Sequence, residues 1–302
     1  MRVFIAFISL VALWSLTPLA IKWSGEGPGY LFGVLSRMTI GLMGVLFILL
    51  IRRMSIPLDR LALRIYLAGT LQIFGSMFLT YWASQHIPSG WISVVYGLTP
   101  LLTAPMAARF LKEKSLTAPR ILSYFSGLLG LGFMFHSALN FSESALWGVL
   151  AVIAGAFLQA ASSVWIKRIN RGLPAFTLVG GTLLVTVPLY ALSWWFLDGQ
   201  LPDSIPDRAL ASILFLGLIA TVFGFALYFY ILKHLAAGEV ALVTLLTPVL
   251  SLYVGHGINH EPMEASILIG TGFVLAALVL YESRLFITMV RRFHFMGGSK
   301  AL

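Results

Sequence analysis

The sequence predicts an all-α membrane protein: ten transmembrane helices arranged as two inverted five-helix repeats around a central cavity. Three observations lead there. Of 302 residues, 59% are hydrophobic and only 10% charged, and the mean hydropathy is +0.93. A soluble domain carries about a quarter charged residues. Stretches such as 121–139 and 265–281 hold almost no charge and are long enough to cross a hydrocarbon core. Finally, one segment recurs 148 positions later with its punctuation intact.

Turn residues and charges separate the apolar runs. Spans are expected at about 3–23, 29–51, 63–83, 90–111, 118–137, 145–166, 173–197, 208–233, 237–257 and 264–290. The first resembles a secretory signal, but its apolar run is longer and no A-x-A site ends it, so it is read as a retained span. The second follows "GEGPG" and stops at Arg52-Arg53; the third follows "IPLDR" and stops at "QHIPSG". The fourth ends at "KEK", and "NFSES" divides the fifth from the sixth. "NRGLP" opens the seventh, and "LDGQLPDSIPD" (197–207), the longest polar connection, leads to the eighth. The ninth ends at "NHEPME", and Arg291-Arg292 closes the tenth. The repeats are set at 1–139 and 140–290, with a short basic tail at 291–302.

Orientation follows from Lys and Arg, which cytoplasmic loops retain. With the N-terminus inside, one side collects Arg2, Arg52, Arg53, Arg60, Arg64, Arg109, Lys112, Lys114, Arg120, Lys167, Arg168, Arg171, Lys233, Arg284, Arg291, Arg292 and Lys300. The other side has Lys22 and Arg208, and Arg37 lies within a span. Both termini are therefore expected in the cytoplasm. The net charge of +9 is a topology signal suited to anionic lipid, and it needs no nucleic acid.

"YWASQHIPSGWISVVYGLTPLL" (81–102) lies over "FYILKHLAAGEVALVTLLTPVL" (229–250), pairing His86 with His234, Gly90 with Gly238, Thr99 with Thr247 and Pro100 with Pro248. Glu113 then meets Glu261 without a gap, and a shift of 145 lays Ile21-Lys22 on Ile166-Lys167. Five spans per copy is an odd number, so the second copy enters the membrane from the opposite side. Inverted repeats of this kind characterise transporters, whose halves exchange conformations around a midplane site. Pro100 and Pro248 are expected to interrupt the fourth and ninth spans alike and to act as hinges or gates.

The chain resembles the drug/metabolite transporter superfamily, in particular its EamA-type ten-helix exporters. The resemblance rests on "LWSLTPLAIKW" (13–23), on Arg37, on the Thr-Pro pattern of spans four and nine, and on the glutamate after each of them. It covers essentially the whole chain. Two positions depart from the family pattern: Glu261-Pro262, where a basic residue usually follows the glutamate, and Pro88 before Gly90. The resemblance implies a cavity lined by spans one, three, four, six, eight and nine, and outward movement of amino acids, related metabolites or drugs.

Polar side chains at lipid depth face protein or water. Gln72, Ser76 and Thr80 recur every four residues, which makes one helical stripe. Trp14, Thr17 and Pro18 share a face of the first span; Gln159, Ser162 and Ser163 lie at matching depth in the sixth. Ser93, Tyr96, Thr99 and Thr103 oppose Thr244, Thr247 and Ser251, and the eighth span adds Thr221 and Tyr228. The candidate cavity set is Trp14, Thr17, Gln72, Ser76, Thr80, Tyr96, Gln159, Ser163, Tyr228 and Thr244. Ser and Thr also serve helix packing, or bond to carbonyls freed by proline. "GLLGLG" (127–132) and "GTG" (270–272) read as close-packing surfaces.

Arg37, the one formal charge within a span, sits seven residues from the start of its helix, or roughly 10 Å. It either binds a substrate carboxylate or serves the structure by snorkelling to the outer headgroups or capping a neighbouring helix end, and the structural role is the favoured reading. Glu113 and Glu261 are expected to close helix ends. All eleven acidic residues fall in loops or at span ends, which favours facilitated diffusion or exchange over ion coupling. Glu239 or a histidine is left as a route for a proton. No serine-protease or paired intramembrane aspartate arrangement is present, and the absence of cysteine excludes thiolate sites. No catalytic residue, metal or cofactor is expected.

The expected function is export of a small neutral or zwitterionic, amino acid-like metabolite by alternating access in the plasma (bacterial inner) membrane. An organic anion, sugar-phosphate or nucleotide-sugar carrier and a multidrug efflux protein are the alternatives, the anion carriers disfavoured by the scarcity of deep cations. Expected partners are a small-molecule substrate and membrane lipids, not nucleic acid, with the chain a monomer or a homodimer.

Overall fold

The computed structural model describes residues 2–112, 118–169, 172–235, 240 and 243–281, and among them every regular element is helical. The helices are α1 (Arg2–Ser24), α2 (Tyr30–Ile51), α3 (Arg60–Ala83), α4 (Ser89–Leu111) and α5 (Ala118–Phe141). They continue as α6 (Glu143–Ile169), α7 (Ala175–Leu197), α8 (Asp207–His234), α9 (Val243–Asn259) and α10 (Ala265–Tyr281). Seven of them, α1 to α4 and α6 to α8, are long and apolar enough to cross a membrane. Glu113, Gly238, Glu239 and the tail 291–302 lie outside the described residues.

Starts of helices follow local chemistry. The Asp59 carboxylate accepts from the N–H groups of Leu61 and Ala62, capping α3. Pro88, Pro174 and Pro206 set the entry to α4, α7 and α8 with φ near −58°. Large apolar side chains such as Phe47, Leu50, Phe125, Leu128, Trp195 and Phe196 are exposed, whereas Gln72, Ser76, Thr80, Gln159, Thr182 and Thr221 are buried. That distribution suits a lipid-facing surface and a polar interior.

Three departures from α geometry concentrate near the polar interior. Residues Leu71–Ser76 of α3 and Phe215–Gly224 of α8 are wound as π-helix, and such wide turns gather at functional sites. Tyr190 on α7 donates to the carbonyls of Ile73 (2.9 Å) and Phe74 (3.1 Å) in the first of these segments. The third departure is a break in α4 at Gly97-Leu98. Pro100 has no N–H for the Tyr96 carbonyl, and the Thr99 hydroxyl donates to that oxygen instead at 2.6 Å.

The matched Thr-Pro pairs do not interrupt their helices alike, contrary to expectation. α9 runs continuously through Pro248. The difference lies two residues before the motif: α4 has Gly97, a poor helix former, where α9 has Leu245. A side chain at Gly97 would come within 2.8 Å of Val274 and within 3.5 Å of Pro248, so the break also lets α4 approach α9 and α10.

Glycines mark where helices come closest. On α2, a methyl at Gly41 would meet Thr221 of α8 at 2.5 Å. On α7, one at Gly181 would meet the Tyr66 ring of α3 at 2.2 Å. α5 and α10 touch where Gly130 and Gly270 each approach the other's carbonyl, and Phe133 stacks on Phe273 at 5.7 Å. Gly132 and Gly272, read from the sequence as part of the same packing surfaces, meet nothing within 4 Å. The remaining principal contacts are α1 with α8 and α9, α3 with α6, α4 with α6 and α9, and α2 with α7.

Candidate functional site

The interior polar groups surround a narrow cavity. Its walls are Trp14, Thr17, Pro18 and Ile21 from α1, Arg37 from α2, and Gln72, Met77 and Thr80 from α3. Ile92, Ser93 and Tyr96 from α4 complete it with Gln159 from α6, Phe225 from α8 and Thr247 from α9. The volume open to the centre of a water molecule is about 60 Å3. A single water needs roughly 10–15 Å3 on that measure, while ligand pockets run to roughly 300–1,000 Å3. An organic ligand enters only if the walls part.

Of the sequence candidates, Trp14, Thr17, Gln72, Thr80, Tyr96 and Gln159 come together here, and Arg37 joins them. Ser76, Ser163 and Tyr228 are not among the lining residues. The Ser76 hydroxyl bonds to the Tyr96 hydroxyl at 2.6 Å, and Thr80 bonds to the same hydroxyl at 2.7 Å, so Ser76 positions a wall residue instead of forming one. Ser163 donates to the Ala160 carbonyl within its own helix. Tyr228 stacks against Trp14 with ring centroids 5.2 Å apart, fixing the indole from behind. The side chain of Thr244 lies outside the described residues. Thr17 bonds back to the Leu13 carbonyl. Ser93 donates to Ser251, which donates to the Ser15 carbonyl, tying α4, α9 and α1 beside the cavity.

Arg37 corrects the snorkelling expectation. It is 2% exposed, and Nε donates to Thr221 Oγ1 at 2.9 Å while Nη1 reaches the Tyr81 hydroxyl at 3.4 Å. Close α2–α8 packing at Gly41 holds the side chain inward. Sequence reasoning missed Tyr81 as its partner, and it missed the wall residues Met77, Ile92 and Phe225. It also missed the π segments. A signal was present: the Phe-Gly pair at 74–75 recurs at 223–224, once in each π stretch.

One end of the bundle is closed by a polar clasp. The Glu261 carboxylate accepts from Ser89 Oγ (2.9 Å), the Gly90 N–H (3.4 Å) and Asn259 Nδ2 (3.1 Å). It lies 3.6 Å from Lys22 Nζ, which also donates to the Ile87 carbonyl at 3.3 Å. The negative charge sits on the N-terminus of α4, where Pro88 supplies no side-chain cap. Elsewhere, Lys167 donates to the Leu235 carbonyl.

The EamA-like transporter family matches residues 1–136 and 146–282. The chain is similar to the uncharacterized transporter YoaV of Bacillus subtilis, 26% identical over 92% of this chain and 96% of that one. It is similar to a probable terminal-alkyne amino-acid exporter of Streptantibioticus cattleyicolor, 24% identical over 90% and 94%. A probable amino-acid metabolite efflux pump of Salmonella typhimurium is 25% identical over 67% of this chain and 68% of its own. A solved crystal structure superposes with a TM-score of 0.68 at 22% identity, covering 93% of this chain and 98% of that one. With family matches across both halves and a membrane-spanning helical fold, the chain belongs to the EamA-like transporter family of the drug/metabolite transporter superfamily and is a transporter, not an enzyme.

Proposed function

We propose that the protein is a ten-span carrier exporting a small neutral or zwitterionic, amino acid-like metabolite across a bacterial inner membrane, with both termini cytoplasmic. Its halves, 1–139 and 140–290, act as inverted repeats that open the cavity to each side in turn. The observation that carries this reading is the reciprocity of helix packing. Exchanging α1–α5 with α6–α10 maps α3–α6 onto α8–α1, α4–α6 onto α9–α1 and α2–α8 onto α7–α3. The pairs α2–α7, α4–α9 and α5–α10 map onto themselves. A two-fold relation between the halves produces this pattern, and the separate family matches at 1–136 and 146–282 agree with it.

The narrowness of the cavity fits a closed intermediate between the two open forms. Among the described residues no carboxylate lines it, and Arg37 is the sole formal charge in that lining, which suits a ligand of low net charge. Two relatives named for amino-acid efflux or export point the same way.

The test is counterflow in proteoliposomes against amino acids, sugar phosphates and cationic dyes, with and without a pH gradient. Exchange of at least one amino acid, independent of the gradient, is the expected result. Exchange confined to sugar phosphates or dyes would replace the reading.

A further inference from the structure

We propose that Arg37 is a carboxylate subsite within this cavity, and that the ligand carries a second hydrogen-bonding group met by Gln72. The assignment rests on the reading of the cavity as the substrate path.

Arg37 is buried, and among the described residues its hydrogen-bond partners are the neutral hydroxyls of Thr221 and Tyr81. The Tyr81 ring adds a face 5.9 Å from the guanidinium carbon. Among the described residues no carboxylate lies within ion-pair distance of it. A guanidinium has five N–H donors and never loses its charge, so two neutral acceptors leave most of its donors and all of its charge uncompensated. Burying a charge without a counter-ion is costly. Helix packing enforces that burial: a methyl at Gly217 on α8 would meet the Arg37 backbone carbonyl at 3.1 Å, so the α8 backbone lies close against that of α2. The planar fork that remains matches a carboxylate through two parallel N–H···O bonds.

Gln72 supplies the independent observation. It is 0% exposed and lines the same cavity, yet among the described residues neither its Oε1 nor its Nε2 has a hydrogen-bond partner. A buried amide left without both a donor and an acceptor contact is rare and calls for an explanation. A ligand able both to give and to take a hydrogen bond provides one. The rings of Trp14, Tyr96 and Phe225 line the same cavity. With no second cation among the lining residues, a phosphate dianion would be undercompensated. The matching class is a small monocarboxylate bearing an amino, hydroxyl or amide group.

The experiment uses the full chain purified in detergent and follows its thermal unfolding. Probes are matched triplets: each L-amino acid, its amide lacking the carboxylate charge, and its deaminated acid. At least one amino acid should stabilise the wild type with an apparent Kd tenfold or more below that of its amide, and below that of its deaminated acid. Arg37→Gln should abolish the acid-over-amide preference, and Arg37→Lys should retain part of it. Equal stabilisation by acid and amide across the panel, or no stabilisation by any acid, overturns the assignment without needing a variant. So does an Arg37→Gln protein that melts lower but keeps the preference, which would mark the arginine as purely structural. If no amino acid that stabilises the wild type shows counterflow, the subsite stands and the transport reading is overturned instead.

Discussion

Lys22 and Lys167 make the same contact at different ends of α3: Lys22 donates to the Ile87 carbonyl at 3.3 Å, and Lys167 donates to the Leu235 carbonyl. The lysines are 145 positions apart and the carbonyls 148. Ile65, near the start of α3, lines a pocket with Lys167, while Ile87 follows the end of that helix. A 24-residue helix is about 36 Å long, so the clasps are separated by roughly the thickness of a membrane. Each ties the end of one helix to the approach of another, as two inverted copies of one unit would.

The Glu261 clasp makes a stability prediction. Glu261→Ala removes the acceptor for Ser89, Gly90 and Asn259 at a buried site, so it should cost about 1–3 kcal/mol. Glu261→Gln, which keeps an acceptor oxygen, should cost less. Unfolding of the purified variants checks the order, and equal melting for all three proteins would refute it.

Gln72→Met should separate stability from transport. The buried amide makes no hydrogen bond among the described residues, so an apolar side chain of similar volume should raise the melting temperature. Flux in proteoliposomes should fall because the polar wall is lost. A variant that melts lower while transporting normally would contradict the placement of Gln72 as a ligand contact.

Two glycines in one short motif should respond in opposite ways. A methyl at Gly130 would meet the Gly270 carbonyl at 2.8 Å, and a backbone atom cannot move aside cheaply; Gly130→Ala should cost about 1–3 kcal/mol. Gly132 has nothing within 4 Å, and Gly132→Ala should be neutral or slightly stabilising. Thermal melts of the pair decide this.

Thr99→Val should weaken the α4 break. The hydroxyl serves the Tyr96 carbonyl that Pro100 leaves without a donor, so its removal should cost about 1 kcal/mol. A broadened melt accompanied by slower exchange is expected. An unchanged melting curve would show that another group reaches that carbonyl.

Much of this arrangement was legible in the sequence because it depends on punctuation. Span ends followed from charges and prolines, and Trp14, Thr17, Gln72, Thr80, Tyr96 and Gln159 followed from helical spacing. What spacing does not encode is the direction a long side chain takes. Arg37 reads as a snorkelling residue until Gly41 and Gly217 bring α8 against it. Ser76 falls on the same four-residue stripe as Gln72 and Thr80, but the π turn lies within that stretch and the Ser76 hydroxyl is taken by Tyr96. Identical Thr-Pro motifs behave differently because the residue two before the threonine, Gly97 or Leu245, decides whether the helix survives.

The chain contains no cysteine, which makes single-cysteine labelling a clean test of the inverted halves. Glu26→Cys lies just past α1 and Arg168→Cys near the end of α6, the helix that the repeat pairs with α1. In sealed vesicles of known orientation, a membrane-impermeant maleimide should modify the first only from the outer face and the second only from the cytoplasmic face. Modification of both from the same face would contradict the inversion on which the carrier rests.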